Sequence, residues 1–249
     1  MPQVPMWYLG VMSMTVPTCL DTTSPALAQL SESERAALSA LILTRFYDRG
    51  ETILTEGEPS LYLWFLESGR VRLYKTSPNG HELTVCIVRT TDSFCLGTCP
   101  LFDGDISPVS ARALEPSKLK MLNKQAVTTQ ILGTPRVSMA FGKMMADRYR
   151  HFTQLTALLA MHCIRVRVAD ALLKYAHTQG VTTPQGIEIE LNLTQELMAS
   201  CVGTDRAVIA RTLLQFKREG LLQTLGKHIT LYDIPRLEKI VNAESVQEV

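Results

Sequence analysis

Apolar residues recur at helical spacing in the stretch Leu193–Leu222, near the C-terminal end of the chain. A first helix is predicted over about Thr194–Cys201, where the Thr194 hydroxyl can accept a free backbone N–H of the first turn. Gly203 then permits a sharp turn, because a residue without a β-carbon adopts a positive φ at little cost. The stretch therefore predicts two short helices joined by a glycine turn.

The second of these helices is predicted to be amphipathic. Thr204 or Asp205 is its expected N-cap, and it should end at about Arg218 or Glu219. Its apolar face consists of Ile209, Leu213 and Phe216, with Leu197 and Val202 as packing partners. Its opposite face consists of Arg206, Ala207, Ala210 and Arg211. This pattern is typical of a helix-turn-helix motif, whose second helix enters the major groove of DNA. An ordinary helical hairpin is the alternative.

The residues after the second helix predict a short β-hairpin. The segment 223–231 has Gly226 at its expected tip, and a hairpin here would make the motif a winged helix. Lys227 is then placed to meet a DNA phosphate. Between Leu193 and His228 the basic residues are Arg206, Arg211, Lys217, Arg218 and Lys227, and the acidic ones are Glu196, Asp205 and Glu219. This mild positive excess suits a few groove contacts per subunit.

The first half of the chain has short apolar runs separated by turn residues. Strands are predicted at Glu51–Leu54, Leu61–Leu66, Val71–Lys75 and Glu82–Val88, and a final strand region at about Val109–Leu122. The strongest hairpin signal is the turn Ser77–Gly80. Such regular short strands favour an antiparallel sandwich or barrel. A helix over Ser24–Leu43, capped at Ser31–Glu34, is predicted to precede them.

One long helix is predicted between these two regions. Thr134 and Pro135 supply an N-cap and a first helical residue, and the helical pattern continues to about Met161. Its apolar stripe favours a parallel dimer seam, and packing of that stripe on the protein's own sheet is the alternative. The seam residues are expected to be Met144, Arg148, Phe152, Leu155 and Leu159.

These patterns predict an α+β chain in four parts. A flexible tail occupies residues 1–25, an antiparallel β-roll domain 26–133, a dimerisation helix 134–162 and a winged helix-turn-helix domain 163–249. Within the last part we expect a helix over Arg165–Ala176, a loop over Thr178–Gly186 and a strand over Gly186–Leu191.

Composition narrows the class of protein. The 249 residues are 46% hydrophobic with a net charge of +1, which suits two globular domains without a global basic field. The six cysteines are scattered and do not form a secreted disulfide framework, so a reduced, cytoplasmic compartment is expected. The N-terminal stretch lacks a basic region and is broken by prolines, which argues against a signal peptide or a membrane span. No nucleophile–base arrangement, phosphate-binding glycine loop or metal-ligand spacing is visible, so neither an enzyme nor a metal site is predicted.

The whole layout resembles the CRP/FNR family of bacterial transcription regulators. The stretches that carry the resemblance are ILTEGEPSLYLWFLESGRVRLYKTSPNGHEL, FCLGTCPLFDGD, RVRVADALLKYA, and LTQELMASCVGTDRAVIARTLLQFKREGLL with its GKHITLY wing. The resemblance implies a homodimer that reads a two-fold site in double-stranded DNA. It also implies that the β-roll senses a small effector, which reorients the recognition helices through the long helix. RNA polymerase would be a further partner if the protein activates transcription.

The resemblance assigns DNA contacts position by position. Arg206 and Arg211 match the two recognition-helix arginines of the family, which contact a guanine edge or a phosphate. The acidic base reader between them falls at Ala207, so the half-site is expected to differ there. The full predicted DNA-binding set is Thr194, Thr204, Asp205, Arg206, Ala207, Arg211 and Lys227.

The same resemblance argues against cyclic AMP as the effector. The family's ribose-binding glutamate and phosphate-binding arginine fall at Thr98 and about Ser107, and neither residue supplies that chemistry. The pair expected to read adenine falls at Phe152–Thr153. The predicted effector pocket consists of Cys95, Gly97, Thr98, Ser107, Arg148 and Phe152. An iron–sulfur cluster is not expected, because Cys19 is the only N-terminal cysteine.

The stretch FCLGTCP leaves two further effector hypotheses open. It is similar to the carbon-monoxide-sensing haem branch of the family, whose cysteine ligand matches Cys95 and whose histidine ligand falls at Gly97. Pro2 is similar to a further ligand of that branch. Cys95 and Cys99 could instead form a thiol redox switch. The alternative is that Cys95 fills the core of the roll and Cys99 has no special role. Outside this class of function, a regulatory ligand-binding module without DNA binding is the rival.

Overall fold

The chain divides into two units. The computed structural model describes residues 31–89, 95–96, 106–130, 133–190 and 194–243. The first unit comprises Met1–Ser77 and Val85–Phe152, and the second comprises Pro78–Thr84 and Thr153–Val249. The predicted tail at 1–25 lies outside the described residues.

Two four-stranded sheets make up the β-structure described in the first unit. In chain order the strands are β1 (Ile42–Tyr47), β2 (Thr52–Leu54), β3 (Tyr62–Ser68), β4 (Arg70–Thr76), β5 (Glu82–Arg89), β6 (Cys95–Leu96), β7 (Ser110–Ala113) and β8 (Ser117–Asn123). One sheet has the order β1-β8-β3-β6 and the other β2-β7-β4-β5. The predicted antiparallel β-roll is confirmed, and the expected final strand region consists of two strands, β7 and β8.

Buried apolar residues from both sheets form the core of this unit. Val71 and Leu73 of β4 are fully buried, and they pair in register with Ala113 and Ala111 of β7. Leu119 of β8 is fully buried in the other sheet. Val71 and Leu73 share one face of β4, because side chains alternate between the two faces of a strand. Arg72 and Tyr74 on its other face are buried as well.

The helix at the start of the described chain ends earlier than predicted, and the part predicted over Ser24–Leu30 lies outside the described residues. Helix α1 (Glu32–Ala40) begins with a capping box, in which the Ser31 N–H donates to Glu34 Oε2 at 2.6 Å and the Glu34 N–H donates to Ser31 Oγ at 3.3 Å. The predicted continuation to Leu43 is wrong. Ile42 and Leu43 begin β1, because they pair with Leu122 and Met121 of β8.

The long helix has the predicted limits. A short helix that the pattern did not predict, α2 (Lys124–Gln130), precedes it. Helix α3 (Pro135–Met161) then starts with proline at its first position, where the missing N–H costs nothing. Among the described residues, no helix is long and apolar enough to cross a membrane.

The second unit packs four helices against a small sheet. Its elements are α4 (Ile164–Gln179), β9 (Val181–Thr183), β10 (Gly186–Glu190), α5 (Gln195–Val202), α6 (Arg206–Arg218), β11 (Leu222–Leu225), β12 (His228–Leu231) and α7 (Ile234–Ala243). The sheet has the order β11-β12-β10-β9. The fully buried side chains of the second unit include Leu172, Ile189, Met198, Ile209, Phe216 and Leu231.

One prediction in this unit is wrong. The loop expected over Thr178–Gly186 contains the end of α4 and strand β9, which pairs with β10 from Thr183 opposite Gly186 to Val181 opposite Glu188. Strand β9 lacks the apolar alternation that predicts a strand, because two of its three residues are threonines. The tight turn at Pro184–Gln185 nevertheless lets β9 pair with β10.

Candidate nucleic-acid interface

Helix α5 and the turn after it have the predicted geometry. Thr194 is the N-cap, and its hydroxyl oxygen accepts the Leu197 N–H at 3.1 Å. Gly203 ends the helix in the left-handed conformation, at φ 68°. The turn is closed by the Thr204 N–H, which donates to the Ala199 carbonyl at 2.9 Å. A sharp helix–turn–helix angle therefore depends on glycine at position 203.

Helix α6 presents the predicted polar face to solvent. Ile209, Leu213 and Phe216 are buried, and so is Thr212, whose hydroxyl donates to the Val208 carbonyl at 2.9 Å. The exposed side chains of the opposite face are Arg206, Ala207, Ala210 and Arg211. The face expected to enter a DNA groove is thus accessible in the second unit, while the apolar face fixes the helix.

Asp205 is the N-cap residue of α6, yet its side chain makes no capping hydrogen bond. The backbone carbonyl of Asp205 accepts the Val208 and Ile209 N–H groups instead. Its carboxylate lies 3.3 Å from His81 Nδ1, and both side chains are about two-thirds exposed. The predicted position of the cap is confirmed, but the carboxylate faces a partner outside the motif.

The wing follows directly after α6. Strands β11 and β12 pair with Leu225 opposite His228, and Gly226 at the tip has φ 60°. Lys227 is exposed beside that tip, as predicted. His228 Nδ1 lies 2.9 Å from Glu188 Oε1 on β10, which joins the wing to the rest of the sheet.

Two arginines of α4 hold the motif, and the sequence pattern gave no signal for either. Arg167 Nη1 donates to the Val202 carbonyl at 2.5 Å, at the C-terminal end of α5, where a cation also suits the helix dipole. Arg165 pairs with Glu219 at the end of α6, and its guanidinium lies 4.9 Å from the Phe216 ring centroid. Hydrogen bonds from Arg165 are the main reason why the pKa of Glu219 lies below its usual range.

Most of the predicted effector pocket lies outside the described residues. Gly97 and Thr98 belong to the undescribed stretch, as does Cys99. Cys95 lies in β6 opposite Phe65, but its side chain is not described. Arg148 lies within α3, and its side chain is likewise outside the description. The haem and thiol-switch hypotheses therefore stay predictions.

The two described members of that pocket have local partners. Ser107 is buried, and its hydroxyl donates to the Val109 carbonyl at 2.7 Å. Phe152 is half-buried and packs edge-on against His151, with ring centroids 5.7 Å apart. The Ser107 hydroxyl proton is thus taken up by a local hydrogen bond to the backbone.

A cavity of about 210 Å³ is present elsewhere in the first unit. Its walls include Arg45, Ile53, Glu58, Trp64 and Met121, and no described residue of the predicted effector pocket lines it. Within the described ranges, no group of three or more histidine, cysteine or acidic side chains is placed to hold a metal ion.

Comparison with known families decides what the two units are. The model of a cyclic nucleotide-binding domain matches residues 44–132, and the model of a Crp-like helix-turn-helix domain matches residues 166–240. The chain belongs to the CRP/FNR family of transcription regulators. This CRP/FNR protein therefore carries a helix-turn-helix DNA-binding domain and is a regulator, not an enzyme.

Individual CRP/FNR relatives match most of the chain. A CRP-like cAMP-activated global transcriptional regulator of Mycobacterium tuberculosis is 28% identical over 204 residues, which are 82% of this chain and 90% of the relative. A global nitrogen regulator of Synechocystis is 26% identical over 189 residues, 75% of this chain and 83% of that protein. The structure of a CooA mutant from Carboxydothermus hydrogenoformans has a TM-score of 0.70 at 22% identity, covering 92% of this chain and 100% of that one. At that identity the likeness establishes the fold.

Proposed function

We propose that the protein is a homodimeric, sequence-specific DNA-binding regulator that responds to a small effector other than cyclic AMP. One observation carries the DNA-binding part: α6 exposes Arg206, Ala207 and Arg211 on one face while its opposite face is buried. Residues at the N-terminal end of a recognition helix are the ones that reach base edges in the major groove. RNA polymerase is a further partner if the bound protein activates transcription.

The wing and the first helix of the motif supply the backbone contacts in this proposal. Thr194 at the start of α5 and Lys227 at the wing tip are exposed on the second unit. Thr204 and Asp205 lie at the turn between them. Contacts of this kind set the register of the protein on DNA, while base-edge contacts from α6 specify the sequence.

Homodimer formation is proposed from the surface of α3. Phe152, Leu155 and Leu159 remain only half-buried in the single chain, at intervals of three and four residues. That spacing is the one a two-stranded coiled coil uses, because it keeps successive side chains facing the partner helix. A second copy of α3 would cover this apolar stripe.

Cyclic AMP is excluded in this proposal despite the cAMP-activated relative. A cyclic phosphate carries a negative charge that needs a cation or several free donors. At the position where the family places its arginine, this chain has Ser107, whose hydroxyl proton is donated to the Val109 carbonyl. Thr98 replaces the carboxylate that would hold the ribose. Adding cyclic AMP should therefore change neither thermal stability nor DNA affinity.

Two arginine variants on the same helix test the DNA-binding proposal. The probes are a duplex that the wild-type protein selects from a random pool and a scrambled version of it. Arg206→Ala should remove the discrimination between these two duplexes, because a bidentate arginine–guanine contact contributes about 1–3 kcal/mol. Arg218→Ala, at the other end of α6, removes the same charge and should weaken both duplexes alike. Fluorescence anisotropy with both duplexes measures the ratio. If Arg206→Ala keeps wild-type discrimination, the assigned reading face is wrong.

A matched pair of variants on α3 tests the dimer. Leu155→Glu places a charge in the apolar stripe and should give monomers in sedimentation equilibrium at micromolar concentration. Gln154→Glu adds the same charge at the neighbouring exposed position and should leave the dimer intact. A wild-type protein that sediments as a monomer would contradict this part of the proposal directly.

A further inference from the structure

The exposed face of α6 is apolar along its middle. Ala207, Ala210 and Leu214 all have exposed side chains, and Leu214 is 48% exposed. At 3.6 residues per turn, these three positions lie within about 60° of one another around the helix axis. They form a single row of apolar side chains over two turns, the apolar row of α6.

Basic side chains flank the apolar row on both sides. Arg206 and Lys217 lie along one edge of the row and Arg211 along the other, because successive residues are about 100° apart around the axis. All three basic side chains are exposed. A helix in the major groove has base edges in front of it and a phosphate backbone on each side. Long basic side chains at the edges can therefore reach a phosphate or a base at the margin, and the apolar row faces the bases in the middle.

The apolar row is separate from the buried face of α6. Ile209, Leu213 and Phe216 on that buried face hold the helix in the second unit. A single exposed leucine is common on protein surfaces and needs no special role. Leu214 differs, because it continues a line that starts at Ala207 near the N-terminal end of the helix, on the face proposed to enter the groove.

The chemistry of the apolar row suits one kind of group in the major groove. Alanine and leucine side chains offer no hydrogen bond, so contact with an amino group or carbonyl oxygen of a base would remove its water without replacing it. The C5 methyl group of thymine is the apolar group that base pairs present in this groove. We infer that the apolar row of α6 reads thymine methyl groups in each half-site. Such reading rests on the proposed function, because the row contacts bases only if α6 enters the groove.

The spacing of the apolar row limits where these thymines lie. A rise of about 1.5 Å per residue places Ala207 and Leu214 about 10.5 Å apart along the axis, close to three base-pair steps of about 3.4 Å. The short alanine side chains let the helix backbone approach the base edges closely. Thymines that the row reads should therefore fall within about four successive base pairs of each half-site, beside the group that Arg206 contacts.

Uracil substitution tests the thymine reading with the wild-type protein. Uracil lacks only the C5 methyl group of thymine, so the hydrogen-bonding edges of the base pair stay the same. The probe is a duplex that the wild-type protein selects from a random pool, with each thymine replaced by uracil in turn. Replacement at a base pair that faces the row should weaken binding about four-fold, the effect of burying one methyl group, and replacement outside the half-sites should have no effect. A selected half-site without thymine, or equal affinity for uracil and thymine at every position, would overturn the inference.

The Leu214→Ala variant assigns the uracil effect to the apolar row, with Leu225→Ala as its control. Leu225 is 74% exposed in the wing, so its truncation removes the same group outside α6. In fluorescence anisotropy, Leu214→Ala should lose the uracil effect at one base pair of each half-site and keep it at the others, whereas Leu225→Ala should keep the whole wild-type pattern. An unchanged pattern in Leu214→Ala would overturn the row as the reader. If the wild-type protein selects no duplex, the proposed function itself fails. If it selects one and uracil has no effect, the thymine reading alone fails.

Discussion

Arg165 donates two parallel hydrogen bonds to Glu219, from Nη1 to Oε1 at 2.9 Å and from Nη2 to Oε2 at 2.6 Å. The pair joins the first turn of α4 to the residue that ends α6, across 54 positions of sequence. Arg236 of α7 adds a hydrogen bond to the Glu219 carbonyl at 3.2 Å. The C-terminal end of the recognition helix is thereby fixed to two other helices of the second unit.

Replacing Glu219 with glutamine should destabilise the second unit by about 1–3 kcal/mol, because a partly buried Arg165 would lose its charged bidentate partner. Urea unfolding followed by circular dichroism measures the change. Glu238→Gln, on the exposed surface of α7, removes the same charge and should leave the midpoint unchanged. Equal effects of the two substitutions would show that Glu219 stabilises the unit only through its negative charge and not through its hydrogen bonds to Arg165.

The same pair predicts a pH dependence. Because Arg165 lowers the pKa of Glu219 in the folded protein, its stabilisation is complete above the unfolded pKa and is lost as pH falls through the folded pKa. The stability difference between wild type and Glu219→Gln should therefore be full at neutral pH and shrink below about pH 4.5. Urea midpoints of both proteins across this range measure it. A difference that stays constant to pH 3 would contradict the assignment.

Gly203 and Gly226 form a matched pair for testing the turn. Both have a positive φ, of 68° and 60°, so alanine at either costs about 1–2 kcal/mol of backbone strain. At Gly203 the added β-carbon would also lie 2.8 Å from Leu159 Cδ2 and 3.0 Å from Arg167 Nη1, whereas at Gly226 nothing lies within 4 Å. Gly203→Ala should thus lower the melting temperature more than Gly226→Ala. The reverse order would mean that the turn tolerates a side chain.

Lys227 at the wing tip should act through phosphates. Lys227→Ala is expected to weaken selected and scrambled duplexes by a similar factor. It should also reduce the slope of log affinity against log salt by about 0.9, the value for one released counterion. Lys239→Ala, an exposed lysine on α7, is the charge-matched control. A loss confined to the selected duplex would instead place Lys227 at a base edge.

Local signals in the sequence were sufficient for the elements that carry the DNA-binding site. Proline at the first position predicted the start of α3, and Thr194 with Gly203 predicted both ends of α5, because each acts on the backbone within a few residues of its own position. Pairing between distant segments was not predictable in this way. Ile42 leaves its expected helix only because β8 offers a partner strand some 80 residues later. The pairing of Arg165 with Glu219 could not be predicted either, because the two residues are 54 positions apart in the sequence.

The effector site could be predicted only by resemblance. Its chemistry depends on single side chains, and at Thr98 and Ser107 this chain differs from the family pattern. Periodicity and composition cannot indicate what binds in their place, because a pocket is made by residues from several strands and one helix. The recognition face differs in this respect, since one helix and its 3.6-residue period define it completely.

The most direct measurement is the base preference of an Ala207→Glu variant, determined by selection from random duplexes beside the wild type. Position 207 lies on the exposed face of α6, where the family resemblance places an acidic base reader. A glutamate there can accept a hydrogen bond from cytosine N4. The preference should change at one base pair of each half-site and stay unchanged elsewhere. An unaltered consensus would contradict the claim that this face of α6 reads DNA.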